Sequence, residues 1–231
     1  MTGLRLLSWN VRDLLGDPLA VARVLRSADA DLVCLQEAPR WPGSLPRLAA
    51  LARSAGLLSV AGGRASAGTA ILCSARVDVL CTVTTRLPVT GRLARPRGVV
   101  AAVIRLPGRP ALAVASVHLP LEPARRVLHA GQIQRLLAGP GLPAVLAGDL
   151  NEPPGGPAWQ ACSPLLADPW PWAGPTFPAR RPTRRIDAVL AGRDVRVEAD
   201  QYWRPDGRDV RLASDHLPVL AVIDLDVDAA G

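Results

Sequence analysis

The sequence predicts an α/β protein in which mixed β-sheets pack together and helices lie outside them. Short apolar runs typical of strands alternate with segments whose apolar residues recur at helical spacing. The run from Leu32 to Gln36 is continuously apolar up to its last residue, as expected of a strand buried on both faces. Asp17-Pro18 places a capping carboxylate before a proline at the first helical position, which indicates a helix start. Since no linker or repeat interrupts this pattern, we expect a single domain over residues 1–231.

The same patterning predicts the individual elements. The predicted strands cover residues 5–9, 32–36, 57–61, 69–72, 77–83, 99–106, 112–117, 144–147, 186–190, 195–198 and 219–225. The predicted helices begin at Pro18 or cover residues 45–55, 123–137 and, as a short helix, 158–162. The segment 151–182 is rich in proline, glycine and tryptophan, and we expect it to form loops around that short helix. We expect the tryptophans at 159, 170 and 172 to pack within these loops, and His129 to be a surface or packing residue.

Charge and composition bear on whether the protein spans a membrane and on the charge of its substrate. No segment approaches the roughly 18 consecutive apolar residues of a membrane span, so we expect no span. All 27 basic residues are arginine, and the formal net charge is +7. Arginine binds phosphate in a bidentate manner, so this charge favours an anionic substrate. An ordinary solvated arginine surface explains the same charge equally well.

The N-terminus and the cysteines bear on location. The segment from Leu4 to Leu7 is too short for the core of a signal peptide, and we therefore expect a cytoplasmic protein. Cys34 and Cys73 lie within apolar runs, where a small buried hydrophobic residue is expected. No CxxC pair is present, which disfavours zinc held by thiolates.

Six short polar clusters lie next to the predicted strands. Each places a carboxylate, carboxamide or imidazole at a strand end or directly before a strand. Polar groups gathered in this way at one edge of a sheet would form a hydrolytic metal site. The clusters are Ser8-Trp9-Asn10-Val11, Leu35-Gln36-Glu37, Val117-His118-Leu119, Gly148-Asp149-Leu150-Asn151, Arg185-Ile186-Asp187 and Ser214-Asp215-His216-Leu217-Pro218-Val219.

Together these clusters resemble, in order and spacing, the successive signatures of the endonuclease/exonuclease/phosphatase superfamily. The resemblance extends over residues 8–219, nearly the whole chain. It implies a four-layer α/β/β/α sandwich of two mixed sheets flanked by helices. It also implies divalent-metal-dependent hydrolysis of phosphoester bonds.

The residue types suit that chemistry. Phosphodiester oxygens are anionic, so a catalyst must neutralise charge and activate water. Hard oxygen ligands favour Mg²⁺, with Mn²⁺ as a substitute, and Mg²⁺ takes only one or two carboxylates from the protein. We expect Glu37 and Asn10 to be metal ligands, and Asp215 to be a second carboxylate that binds directly or through water.

Further roles are implied by the resemblance. Asp149 would orient or deprotonate the attacking water, and Asn151 would hold that water or a phosphate oxygen. His216 would act as a general base or as a cationic donor, oriented by Asp187. His118 would contact the other side of the scissile phosphate.

Each of these residues also has an ordinary structural interpretation. Glu37 alone could be a solvated strand end, Asn10 could cap a turn, and His118 could be a core histidine. Asn151 could form an Asx-turn, and Asp187 could pair with a neighbouring arginine, Arg184 or Arg185. The joint pattern favours the active-site interpretation.

The sequence predicts the class of reaction more narrowly than it predicts the substrate. Apurinic endonucleases of this fold carry an asparagine where His118 stands and an acidic residue where Arg12 stands, so the sequence resembles the deoxyribonuclease-like and sphingomyelinase-like branch instead. We expect a monomeric phosphodiesterase that acts on nucleic acid. Hydrolysis of a phospholipid or a small phosphomonoester is the alternative, and a non-catalytic polyanion-binding protein is a further one. Candidate phosphate contacts are Arg12, Arg97, Arg180, Arg181 and Arg184.

Overall fold

The computed structural model describes residues 3–89, 95–200 and 202–224. Its strands in chain order are β1 (Leu4–Asn10), β2 (Leu32–Gln36), β3 (Leu58–Gly62), β4 (Ala70–Cys73), β5 (Asp78–Arg86), β6 (Gly98–Arg105), β7 (Leu112–His118), β8 (Ala144–Asp149), β9 (Asp187–Ala191), β10 (Arg196–Ala199) and β11 (Val219–Asp224). Its α-helices are α1 (Pro18–Ser27), α2 (Ser44–Ala55), α3 (Pro123–Ala138), α4 (Pro157–Cys162) and α5 (Gly207–Ala213). A short 3₁₀ turn spans Arg12–Leu14.

The strands form two mixed sheets. The six-stranded sheet has the order β10-β11-β1-β2-β4-β3, and the five-stranded sheet has the order β5-β6-β7-β8-β9. The pairs β1–β2 and β7–β8 are parallel, while the other neighbouring pairs are antiparallel. The predicted α/β class with two mixed sheets is confirmed.

Strand β1 shows how the sequence divides the layers. Every residue of this strand is buried. Leu4 and Leu6 belong to the core between the two sheets, whereas Leu7 and Trp9 belong to the core beneath the helices. Since side chains alternate along a strand, Asn10 ends the strand on the same face as Leu6, between the sheets.

Helices cover the outer faces of both sheets. Helices α1, α2 and α5 contribute to the core on the six-stranded sheet, and α3 and α4 to the core on the five-stranded sheet. Asp17 caps α1, since its Oδ1 accepts a hydrogen bond from the Leu19 amide at 2.8 Å. The layers therefore follow the order helix, sheet, sheet, helix, and the expected four-layer sandwich is confirmed.

Two sequence predictions differ from the structure. Helix α5 was not expected, because its only buried residues are Val210 and Ala213 and so it carries little helical apolar pattern. Asp206 caps this helix, since its side chain accepts hydrogen bonds from the Arg208 and Asp209 amides. Trp172 does not pack within the loops and is 79% exposed, whereas Trp159 and Trp170 are buried as expected.

Other predictions hold within a few residues. The predicted strand 219–225 corresponds to β11, and residue 225 lies outside the described residues. Cys34 and Cys73 are buried. His129 is buried, with Nε2 2.9 Å from the Pro88 carbonyl oxygen, in agreement with a packing role. Within the described part of the chain, no helix has both the length and the apolar character needed to cross a membrane.

Candidate active site

The ends of β7, β8 and β9 bring three titratable side chains into one row. His118 ends β7, Asp149 ends β8 and Asp187 begins β9, and all three are buried. The strand register pairs His118 with Asp149, and Asp149 with Asp187. The His118 Nε2 atom lies 3.4 Å from Oδ2 of Asp149. Sheet register alone therefore gathers residues from three distant parts of the sequence.

Gly148 makes this register possible. In the parallel pair β7–β8 it lies opposite Val117. A Cβ atom on Gly148 would stand 2.0 Å from the Val117 carbonyl oxygen, far closer than van der Waals contact allows. The glycine before Asp149 is thus required by close packing of two backbones rather than by an unusual dihedral angle.

Asn10 reaches this row from the other sheet. Its Nδ2 donates a hydrogen bond to Oδ2 of Asp149 at 3.1 Å. Its Oδ1 accepts a hydrogen bond from the Arg12 amide at 3.0 Å, and its carbonyl accepts one from Ser214 Oγ at 2.6 Å. The two sheets therefore meet at Asn10 and Asp149, and the amide orientation of Asn10 is fixed by its neighbours.

His216 and Asp187 form a buried pair. The Nδ1 atom of His216 donates to the Asp187 carboxylate, at 3.0 Å from Oδ2 and 3.1 Å from Oδ1. Thr176 Oγ1 donates a further hydrogen bond to Asp187 Oδ2 at 2.6 Å. The Phe177 ring centroid lies 4.7 Å from that of His216. The imidazole is thereby held with Nε2 directed at Asp149, 3.8 Å from its Oδ2.

This arrangement raises the pKa values of both His216 and Asp149. Burial opposes the charged form of His216, but the hydrogen bond and charge of Asp187, together with the charges of Asp149 and Asp215, raise its pKa to about 9. Burial, followed by the charge of Asp187, raises the pKa of Asp149 above the usual range of a carboxyl group. Before any metal binds, His216 is therefore a cation at neutral pH, and Asp149 is a stronger base than an exposed aspartate.

His118 has the opposite character. Burial, and then the charges of Arg97 and His216, hold its pKa well below the ordinary value. It is neutral at physiological pH. Its Nε2 lies 4.0 Å from Oε1 of Glu37 as well as 3.4 Å from Asp149. One uncharged imidazole thus has both carboxylates within 4.0 Å of its Nε2 atom.

Glu37 directly follows β2 and has an uncommon backbone conformation, with φ of 47°. A residue other than glycine in this left-handed region of backbone conformation costs of order 1–3 kcal/mol of stability. Two hydrogen bonds hold it there: the Asp13 amide donates to the Glu37 carbonyl at 2.6 Å, and the Ala38 amide donates to the Gly68 carbonyl at 2.7 Å. Its side chain is 26% exposed, so the carboxylate remains accessible to a ligand.

Asn151 also lies in the left-handed region, with φ of 52°. Its amide donates to Asp149 Oδ1 at 2.9 Å, which forms an Asx-turn within the Gly148–Asn151 cluster. Its Nδ2 donates to the Leu119 carbonyl at 2.8 Å. The backbone of Asn151 therefore fixes the Asp149 carboxylate.

The candidate phosphate contacts differ in their surroundings. Arg97 is buried, and its Nε has no hydrogen-bond partner among the described residues. Burial lowers the pKa of Arg97, while the charges of Glu37 and Asp149 oppose that shift. Arg12 is exposed, with Nε 4.0 Å from Asp215 Oδ2.

The arginines of the 180–184 segment lie at the surface. Arg184 is exposed and stacks over Phe177, with its guanidinium carbon 4.9 Å from the ring centroid. Arg180 and Arg181 are also exposed. Phe177 therefore lies between His216 and a surface cation.

Metal ligation can be judged from the donors present. Among the described residues, Asp149, Asp187 and His216 have ligand atoms that all lie within 4.8 Å of one another. Asp187, however, is already occupied by His216 and Thr176, which makes it a poor direct ligand. Glu37 has an accessible carboxylate, and Asn10 offers an amide oxygen. These donors are hard oxygen atoms, which suits a divalent cation such as Mg²⁺.

Asp215 is more exposed than the other candidate ligands. Its side chain is 43% exposed, and it is not part of the cluster that surrounds Asp149. It contributes by its charge, which raises the pKa of His216.

Several residues were not recognised in the sequence. Thr176 binds the Asp187 carboxylate, and Ser214 joins the Asn10 carbonyl to the His216 amide, which donates to Ser214 Oγ at 3.1 Å. Ser214 stands within the last polar cluster, and Thr176 follows a proline in the loop segment, so position was their only signal. The alternative pairing of Asp187 with Arg185 does not occur, since Arg185 forms two hydrogen bonds with Asp168.

The fold and these residues together define the class of protein. A model of the Endonuclease/Exonuclease/phosphatase family matches residues 7–216. The chain therefore belongs to this family, whose members are divalent-metal-dependent phosphoesterases, and it is a hydrolase of phosphoester bonds. No curated protein sequence matches the chain.

Solved structures share the fold at low sequence identity. An endonuclease/exonuclease/phosphatase from Bacteroides vulgatus is 20% identical with a TM-score of 0.78, over 98% of this chain and 100% of that one. The mannosyl-6-phosphatase Bt3783 of Bacteroides thetaiotaomicron is 21% identical with a TM-score of 0.73, over 96% and 99%. ANGEL2, a 2′,3′-cyclic phosphatase solved with adenosine-2′,3′-vanadate, is 17% identical with a TM-score of 0.72, over 97% and 96%.

Proposed function

We propose that this phosphoesterase is a magnesium-dependent phosphodiesterase that acts on nucleic acid. The observation that carries the proposal is the placement of Asp149 between two imidazoles, with Oδ2 3.4 Å from Nε2 of His118 and 3.8 Å from Nε2 of His216. A phosphodiester needs a base for the water and hydrogen-bond donors for its oxygens, and these three side chains supply both.

Asp149 orients and deprotonates the attacking water in this proposal. Its raised pKa makes the carboxylate a better base than an exposed aspartate. Asn10 and the Asn151 amide fix both carboxylate oxygens, so the base is held in one orientation. Asn151 Oδ1 holds the water or a phosphate oxygen.

His216 acts as a cationic donor to the phosphoryl oxygen. A pKa of about 9 in the metal-free site supports this role over that of a general base. Asp187 fixes its tautomer, since Nδ1 donates to the carboxylate and leaves Nε2 for the substrate. His118, neutral and buried, stands on the side of Glu37 and donates to the scissile phosphate from there.

Glu37 and Asn10 would hold the metal, and Asp215 would act on it through a water molecule. When bound there, Mg²⁺ or Mn²⁺ neutralises phosphate charge and polarises the phosphoryl group. The partly exposed Glu37 carboxylate supports this assignment, as does its strained backbone held by two hydrogen bonds.

Buried Arg97 supports a phosphodiester substrate. A guanidinium whose Nε lacks a partner in the described structure, beside Glu37 and Asp149, is available to an anionic ligand. Arg12 and Arg184 would contact flanking phosphates from the surface. The structural likeness to ANGEL2, which is solved with an adenosine vanadate, agrees with a nucleotide substrate.

A small phosphomonoester is the second candidate substrate. The mannosyl-6-phosphatase with the same fold favours it. We further propose that residues 1–231 form one catalytic domain and work as a monomer, and the cytoplasmic location stays a prediction from the sequence.

The test is a side-by-side substrate screen. Single-stranded oligonucleotides, supercoiled plasmid, sphingomyelin and sugar and inositol phosphates would be incubated with the protein and Mg²⁺ or Mn²⁺. We expect turnover of nucleic acid. Turnover of a lipid or a phosphomonoester with intact DNA and RNA would overturn the nucleic-acid assignment and leave the hydrolase assignment standing.

A further inference from the structure

Two adjoining cavities flank the side chain of Trp41, and we refer to them together as the Trp41 cleft. One has a volume of about 400 Å³ and is lined by residues that include Arg40, Arg64, Arg86 and Arg95. The other has a volume of about 500 Å³ and shares Trp41, Arg64 and Arg86 with the first. Neither cavity belongs to the row of catalytic candidates described above.

The cleft is strongly cationic. Four of the described residues that line the smaller cavity are arginines, and no acidic residue is among the described residues that line it. Arg40 forms an ion pair with Asp13 at 2.9 Å. Among the described residues, no carboxylate forms an ion pair with Arg64, Arg86 or Arg95. Arg86 instead donates to the Arg64 carbonyl at 3.2 Å, which holds these two arginines side by side. Three positive charges therefore remain to attract an anion.

Trp41 is unusual for its exposure. The residue is 64% exposed although an indole contributes a large apolar surface. The Arg40 guanidinium carbon lies 5.8 Å from the ring centroid and so covers only part of the indole. A planar aromatic surface open to solvent and bordered by cavities is a suitable platform for stacking a nucleic-acid base.

One arginine of the cleft is linked by contacts to the candidate active site. Arg40 binds Asp13, and the Asp13 amide donates to the carbonyl of Glu37. The charges of Arg40 and Arg95 also act on His118. The Arg40 end of the cleft is therefore the end linked to the proposed metal ligand Glu37.

We propose that the Trp41 cleft binds the nucleotides that flank the scissile phosphate of a single-stranded nucleic acid. One base stacks on Trp41, and Arg64, Arg86 and Arg95 bind the neighbouring phosphates. This inference rests on the proposed function and adds a binding site for the strand. Concave shape favours a strand over a lipid bilayer, because a bilayer is engaged by protruding apolar side chains whereas these arginines line cavities.

Direct binding tests the inference without catalysis. The dissociation constant of a fluorescein-labelled twelve-residue oligothymidylate would be measured by fluorescence anisotropy in EDTA, where no metal is present to support hydrolysis. We expect Trp41→Ala to raise this constant at least about fivefold, as loss of one stacked base does. Trp172→Ala is the matched control, since Trp172 is also exposed, at 79%, and does not line the cleft.

Charge is tested separately. The double variant Arg64→Gln/Arg86→Gln should flatten the dependence of log affinity on log salt by about 1.4, at about 0.7 for each phosphate contact on a single strand. The double variant Arg193→Gln/Arg196→Gln removes the same charge at other exposed positions and should keep the wild-type slope. Quenching of tryptophan emission by the oligonucleotide should be lost in Trp41→Ala and kept in Trp172→Ala.

The outcomes separate the two proposals. Equal oligonucleotide affinity in wild type, Trp41→Ala and Arg64→Gln/Arg86→Gln would overturn the cleft as a strand site, even if the wild type hydrolyses DNA. Trp41-dependent binding to phosphatidylserine vesicles, with oligonucleotide affinity unchanged by the same variants, would overturn it in favour of a membrane. Failure of the wild type to hydrolyse any nucleic acid bears on the proposed substrate and leaves the measured binding intact.

Discussion

The Nδ1 atom of His216 lies 3.0 Å from Oδ2 of Asp187, although the two residues are 29 positions apart in the chain. Thr176 donates to the same oxygen at 2.6 Å. This buried pair determines which nitrogen of His216 faces Asp149, and it is the principal reason for the raised proton affinity of the imidazole. The charge state of the site follows from it.

Replacing Asp187 with Asn should lower the pKa of His216. In wild type the pKa is about 9, since the Asp187 hydrogen bond and charge outweigh burial. In Asp187→Asn burial dominates and the pKa should fall toward or below its ordinary value, so the cation is lost at a lower pH. Histidine NMR titration of the metal-free proteins measures this shift directly. Turnover with metal should fall about 10- to 100-fold at neutral pH. An unchanged His216 pKa would contradict the assigned role of Asp187.

Gly148→Ala should destabilise the fold. The added methyl group would stand 2.0 Å from the Val117 carbonyl oxygen, and backbone cannot move aside as a flexible side chain can. We expect a loss of at least about 1–3 kcal/mol in the free energy of unfolding, measured by urea denaturation. Gly174→Ala is the control, since a Cβ there meets nothing within 4 Å, and it should be nearly neutral. Equal stability of the two variants would refute the close approach of β7 and β8.

His118 should make the protein sensitive to acid. Its pKa is held well below the ordinary value of 6.5 by burial and then by the charge of Arg97. Above pH 6.5 both folded and unfolded chains hold a neutral His118. As the pH falls below that value, the unfolded chain takes up the proton first, so the folded state loses stability until its own lower pKa is passed.

A comparison with His118→Asn isolates this effect. The difference in unfolding free energy between wild type and variant should shrink or reverse as the pH falls from about 7 to 5. Urea denaturation over that range gives the difference at each pH. A constant difference would show that His118 is not held in its neutral form by the fold.

Glu37→Gln should weaken metal binding. The substitution keeps shape and removes the charge of the proposed ligand, and we expect Mn²⁺ affinity by isothermal titration calorimetry to fall at least about tenfold. Glu198→Gln, which changes an exposed glutamate of β10, should titrate as wild type does. Identical titrations for Glu37→Gln and wild type would remove Glu37 from the metal site.

The strands and the packed mixed sheets could be predicted because buried strands such as β2 and β7 are rich in apolar residues, whereas the four-layer sandwich was implied by the family resemblance. Helix α5 was not predicted, because Asp206 caps a segment with only two buried side chains and so with little apolar pattern. Trp172 shows a second limit, since a tryptophan in a loop gives no sign of whether its ring packs or faces solvent.

The candidate site residues could be chosen from the sequence, but their contacts could not. Strand ends are visible in sequence, so His118, Asp149 and Glu37 stand out as polar residues after apolar runs. The Thr176 contact to Asp187 depends on the path of a long loop, which local patterning does not encode. Likewise, the 43% exposure of the Asp215 side chain, directly before the buried His216, is not encoded in the local pattern.

The most direct test of the account is hydrolysis of bis-p-nitrophenyl phosphate with Mg²⁺ or Mn²⁺ by wild type and by Asp149→Asn. Circular dichroism would verify that the variant is folded. We predict metal-dependent release of nitrophenol by wild type and a loss of at least about 100-fold in turnover for the variant, as removal of a general base causes. Equal rates for the two folded proteins under every metal would contradict the account.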